Sequence, residues 1–69
     1  MNMTPVTSDT VRAAGYDHRT QVLRVTFSSG GTYDYYAVPV HLYEVMLLPH
    51  PWHRVGRQIR AHRYNRVAA

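Results

Sequence analysis

Residues Thr32–Pro39 read TYDYYAVP, with three tyrosines in four positions and a Val-Pro step behind them. Tyr33 and Tyr35 alternate with Thr32, Asp34 and Tyr36, which predicts a strand over Thr32–Val38. Pro39 suits the first position of a helix, where its missing N–H costs nothing. Strand and hairpin are expected before this stretch, and helix with a basic tail after it.

Working back toward the N-terminus, Gln21–Ser28 has the clearest pattern. Leu23, Val25 and Phe27 point one way and Val22, Arg24 and Thr26 the other, as in a half-buried antiparallel strand. Ser28-Ser29-Gly30-Gly31 reads as the hairpin loop, since glycine takes positive φ without steric cost. Thr10–Asp17 is expected as an earlier strand, with Val11, Ala13 and Gly15 alternating with Arg12, Ala14 and Tyr16. Residues 1–8 are polar, carry Pro5 and show no period, so a flexible N-terminus is expected. If Leu23, Val25 and Phe27 face the core, the Tyr33–Tyr35 pair either caps that core or stands on the open face.

Working forward, Val40–Leu48 is apolar around nearly its whole circumference, interrupted by His41 and Glu44. Such a helix is buried on several sides, between the sheet and a second helix, or it offers apolar surface to a partner. Pro49-His50-Pro51 ends it. Trp52–His62 is expected as the second helix. Val55, Ile59 and His62 line one side, and Arg54, Arg57 and Arg60 lie away from it. Continued helix would bury Arg66, so the helix should end near Arg63 and Tyr64–Val67 should be extended. The expected fold is α+β: a small three-stranded antiparallel β-meander, then two C-terminal α-helices packed on one face. It makes one domain over residues 9–67.

A chain of 69 residues holds one domain at most. A core of this size rarely supplies more than about 3–5 kcal/mol. There is no cysteine, which excludes disulfides and thiolate metal sites. No apolar run is long enough to span a membrane, and MNMTPVTSDT lacks the apolar core of a signal peptide. A cytoplasmic protein is expected. All eight cationic side chains are arginine. In residues 1–34, Arg12, Arg19 and Arg24 cancel Asp9, Asp17 and Asp34. Beyond them five arginines face only Glu44, so the net charge of +4 sits in the second half. That asymmetry points to an anionic partner.

Several ordered features carry a family resemblance. Gly15-Tyr16-Asp17 precedes the Leu23-x-Val25-x-Phe27 strand, and a glycine turn leads to Tyr33-x-Tyr35 and Val38-Pro39. A helix containing Tyr43 follows, then Ile59-Arg60 with Tyr64 behind it. Over roughly residues 6–67 this order resembles the KTSC domain family. That family is named for its place at the C-terminus of some lysyl-tRNA synthetases, and it also occurs as small stand-alone bacterial proteins. The chain departs from the family pattern at Leu48–His53, where relatives carry a small-residue stretch of the A-x-S-x-G kind and then an aromatic. The resemblance implies no established activity; by analogy with the synthetases it implies RNA association.

Arg54, Arg57, Arg60, Arg63 and Arg66 recur at every third position. Arginine forks supply phosphate contacts, and aromatics on a sheet can stack unpaired bases. Arg54, Arg57, Arg60 and Arg63, with Tyr33 and Tyr35, are therefore the expected nucleic-acid-binding set. RNA or another nucleic-acid backbone is the expected partner. The competing expectation is a protein-interaction surface of Leu42, Val45, Met46 and Trp52, serving a homodimer or docking on a larger protein. His50, His53 and His62 sit among prolines with no acid after Glu44, so no metal and no cofactor is expected. No paired carboxylates, cysteine or phosphate loop single out catalysis, so an enzyme is not expected.

Overall fold

A computed structural model of the chain describes residues 1–68. Its elements run in the order β1 (Thr4–Pro5), β2 (Val11–Asp17), β3 (Val22–Phe27), β4 (Thr32–Tyr35), α1 (Val40–Met46), α2 (Pro51–Arg60) and β5 (Tyr64–Ala68). The α+β class matches the sequence reading, but the sheet has five antiparallel strands in the order β1-β2-β3-β4-β5. The expected three-stranded meander is its centre. The segment expected as a flexible N-terminus contributes β1, which pairs with β2 through Thr4 and Ala14. The extended segment after the helices returns as β5 beside β4.

The strands form where alternation is strict and stop where the backbone leaves the extended region. The β2–β3 turn is closed by Asp17, whose carboxylate accepts the Arg19 N–H at 2.9 Å. The β3–β4 turn uses Gly30 at φ 101° and Gly31 at φ 88°, as the paired glycines require. Strand β4 ends at Tyr35 rather than Val38, because Ala37 adopts φ 54°. The Val38 N–H then donates to the Gln21 carbonyl at 2.9 Å.

In β2 the register shifts between Val11 and Ala13, so Arg12 is the extra residue of a β-bulge. The bulge changes which side chains point inward. Val11 and Ala14 are fully buried, where simple alternation had paired Val11 with Ala13 and Gly15. Gly15 lies on the opposite face, where a Cβ would come within 2.7 Å of the Asn2 carbonyl oxygen and 2.8 Å of Met3 Sδ. Residues 1–3 thus cross that face over Gly15.

The core lies between the other face of the sheet and the helices. Leu23, Val25 and Tyr35 meet Val38, Leu42, Met46, Val55 and Ile59 there. Pro39 precedes α1 as its N-cap, one position earlier than expected. Pro51 does take a first-turn position, in α2. The α1–α2 turn is tied to the N-terminal segment by the His50 N–H donating to the Thr7 carbonyl at 2.8 Å. None of the described helices is long and apolar enough to cross a membrane.

Candidate nucleic-acid interface

Pairing in the sheet settles the direction of the tyrosines. Tyr33 stands opposite Val25 and Tyr35 opposite Leu23, so both tyrosines lie on the helix-bearing face. Tyr35 is buried at 5% exposure and Tyr33 half-buried. Burial raises the Tyr35 phenol pKa, as does neighbouring Tyr33, while the Arg60 charge pulls it the other way.

Opposite them, the other face of the sheet is neutralised and bonded to itself. Arg24 grips Asp34 with two hydrogen bonds, Nε to Oδ1 at 2.7 Å and Nη2 to Oδ2 at 3.0 Å. The Thr26 and Thr32 hydroxyls lie 3.0 Å apart beside it. This is the one ion pair among the described residues.

A line of rings runs along the helix-side face. The Trp52 indole meets Phe27 edge-on at 5.2 Å, and Phe27 meets Tyr33 edge-on at 5.7 Å. Tyr64 lies 5.9 Å from both Tyr33 and Tyr35. The line begins on α2 because Gly56 leaves room for the indole; a Cβ there would come within 2.9 Å of the ring. Between the end of α2 and β5 the rings border a groove of about 440 Å³. Phe27, Tyr33, Tyr35 and Tyr64 form its walls, Ser29 and Gly30 lie at the hairpin end, and Arg60 lines it from α2. The Arg66 guanidinium sits over the Tyr33 ring, 5.9 Å from its centroid, a cation–π distance.

The expected arginines divide among three places. Arg54 and Arg57 are exposed on α2, away from the buried Val55 and Ile59. Arg60 joins Tyr33 and Tyr35 in the groove. Arg63 lies past the end of α2 and lines a separate hollow with Tyr36, Tyr64 and Asn65. Two residues outside the expected set, Tyr64 and Arg66, complete the groove's surroundings. Their signal was the period of two in Tyr64-Asn65-Arg66, which puts both on one face of a strand. As a helix continuation, Arg66 had pointed inward.

Of the expected protein-interaction set, the packing takes Leu42 and Met46 out of reach of a partner. Leu42 is 3% exposed and Met46 fully buried, while Val45 and Trp52 pack partly buried against the core. Helix α1 buries Leu42 and Met46 and packs beside α2, while Val40, His41 and Glu44 are exposed. The large apolar side chains left exposed nearby are Val40, Leu47 and Leu48. His50, His53 and His62 do not converge: among the described residues no three His, Asp or Glu side chains are grouped to share an ion. His62 instead places Nδ1 3.0 Å from the Tyr36 carbonyl oxygen.

Chemically, the groove combines four aromatic rings with Arg60 in its lining and Arg66 beside it, and no carboxylate is among its described lining residues. Comparison with known proteins places the chain. Residues 7–48 match the KTSC domain. A protein of Tsukamurella paurometabola, described only as a protein, is 38% identical over 66 residues, 96% of this chain and 98% of its own length. An uncharacterized protein of Stutzerimonas stutzeri is 40% identical over 47 residues, 68% of this chain and 66% of its own. The family match spans β2, β3, β4 and α1 and stops before α2, so Tyr33 and Tyr35 fall inside it and the arginine series outside. With more than half its length matched and the Tsukamurella protein aligned nearly end to end, this chain belongs to the KTSC domain family.

Proposed function

We propose that this KTSC domain is a non-enzymatic module that binds nucleic acid through the phosphate backbone, using Arg54, Arg57, Arg60 and Arg63. One observation carries the reading. Five arginines follow Glu44, all are exposed, and none has an acidic partner among the described residues. A guanidinium without a protein carboxylate is available to phosphate, and each phosphate neutralised releases counterions. Arg24, by contrast, is held by Asp34 on the other face of the sheet and is not free for phosphate.

The test is a titration of labelled RNA and DNA across a salt series. Affinity should fall linearly with salt on logarithmic axes. Replacing Arg54 and Arg57 together by alanine should reduce the slope for single strands by about 1.4, about 0.7 for each phosphate no longer neutralised. Unchanged affinity and slope would remove the helix face from the interface, and a melting curve of the double variant checks that it is folded.

A second reading, a protein-interaction surface, is favoured by exposed Val40, Leu47 and Leu48, at 37%, 47% and 48%. An apolar interface of this kind would persist in salt and fail on Leu47→Asp or Leu48→Asp.

A further inference from the structure

We infer that the groove between α2 and β5 takes an unpaired base of single-stranded RNA, stacked on Tyr64 with neighbouring phosphates on Arg60 and Arg66. The inference rests on the nucleic-acid reading above and adds the strand form and the binding site.

Tyr64 is the first reason. At 62% exposure it is the most exposed large hydrophobic among the described residues. It stands on an edge strand whose described residues are all exposed, with only Tyr33 and Tyr35 ring-to-ring beside it. A broad flat ring left open to water is a platform, and every base has a face to lay on it.

Charge is the second reason. Arg60 lines the groove from the helix side, and Arg66 flanks it over Tyr33. Both are exposed and neither has a carboxylate partner among the described residues. An apolar or acidic-peptide ligand would match the rings or the charges separately. A nucleotide presents a flat aromatic face and an anion on one unit, which suits rings and guanidiniums together.

Shape separates single strand from duplex. The bases of a duplex are stacked on one another and cannot enter a groove to meet a ring, so a duplex reaches only the outward arginines. A splayed single strand satisfies both. The groove's volume of about 440 Å³ falls in the range of small-ligand clefts, roughly 300–1,000 Å³. Ser29 and three tyrosines are among the lining residues, and hydroxyl-bearing side chains of this kind can pair with a ribose 2′-OH that deoxyribose lacks.

The experiment compares labelled oligouridylate, the deoxy strand of the same sequence, and the oligouridylate annealed to oligoadenylate, all at one salt concentration. The full chain is used, with Tyr64→Leu and Tyr64→Phe variants. Leucine keeps apolar bulk on the strand and removes the ring, and melting curves confirm that both variants fold. The expected result is tightest binding to oligouridylate. Tyr64→Leu should weaken it about 5- to 150-fold, Tyr64→Phe should largely retain it, and neither should change duplex binding. Equal affinity for single strand and duplex, or a Tyr64→Leu variant that binds oligouridylate normally, would overturn the groove assignment while leaving backbone binding intact. Equal affinity for the deoxy strand would overturn the ribose preference. No binding to any of the three at low salt would overturn both readings.

Discussion

Gly56 is the residue on which the line of rings depends. Alanine there gains about 1 kcal/mol of helix propensity, but its Cβ would sit 2.9 Å from the Trp52 ring. The indole must then leave Phe27, and such overpacking costs about 1–3 kcal/mol. Gly56→Ala should therefore lower stability by about 1 kcal/mol net and the melting temperature by about 5 °C. A higher melting temperature would mean the indole relocates freely. Ala37 is the opposite case. It is exposed and holds φ 54°, where a Cβ costs about 1–2 kcal/mol. Part of that is offset by glycine's greater entropy loss, so Ala37→Gly should raise stability by about 0.5–1 kcal/mol in urea denaturation; an unchanged midpoint would reject the strain. Asp17 supplies a pH dependence. The Arg19 N–H, helped by Thr20 and the Arg19 charge, holds its carboxyl pKa below the ordinary 3.8. A depressed carboxyl contributes stability above pH 3.8, lost as pH falls through the lower folded value. Asp17→Asn keeps an acceptor oxygen but cannot titrate, so it should flatten the acid limb of the stability–pH curve. An acid limb identical to that of the parent would assign the loss to other groups.

At the scale of the element, α1 shows how an all-round apolar pattern is used. Its seven residues make two turns, with Leu42 and Met46 buried while Leu47 and Leu48 emerge just past its end. Leu42→Ala or Met46→Ala should cost about 2–5 kcal/mol, comparable with the roughly 3–5 kcal/mol a core this small supplies. Either variant should be largely unfolded near room temperature by circular dichroism. Leu48→Ala should stay within about 0.5 kcal/mol of the parent. Equal losses at Met46 and Leu48 would contradict the helix orientation. Strand β2 carries a parallel lesson, because its bulge at Arg12 turns a sequence of even alternation into one that buries Val11 and Ala14 together.

For the whole molecule, the sheet order puts β3 at the centre with two neighbours on each side. Amide exchange should be slowest in β3 and the flanking parts of β2 and β4, and fastest at the outward N–H groups of the edge strands β1 and β5. The N–H groups of β5 are the informative ones. If they exchange as slowly as those of β3, another chain covers that edge and the groove beside it is not free. The same order explains the placement of charge. With Arg24 paired to Asp34 on one face and the later arginines unpaired among the described residues, the excess positive charge gathers beside α2 and β5.

By itself, the sequence determined what depends on neighbours along the chain. The alternation of Leu23, Val25 and Phe27, the Gly30-Gly31 turn, the prolines that punctuate the helices at Pro39 and Pro51 and the arginine series are local patterns. Steric preference and side-chain period suffice to read them. Only the tertiary structure decided what depends on pairing between distant segments. Thr4–Pro5 is two residues long and has no period to show, so it becomes a strand only because β2 offers an edge. Period two says that Tyr33 and Tyr35 share a face, but pairing with Val25 and Leu23 decides which face. Tyr64 and Arg66 reach the groove because β5 returns across two helices to Tyr35 and Tyr33. The register of strands joined by such a long connection is set by packing and hydrogen bonds, which no short window of sequence contains.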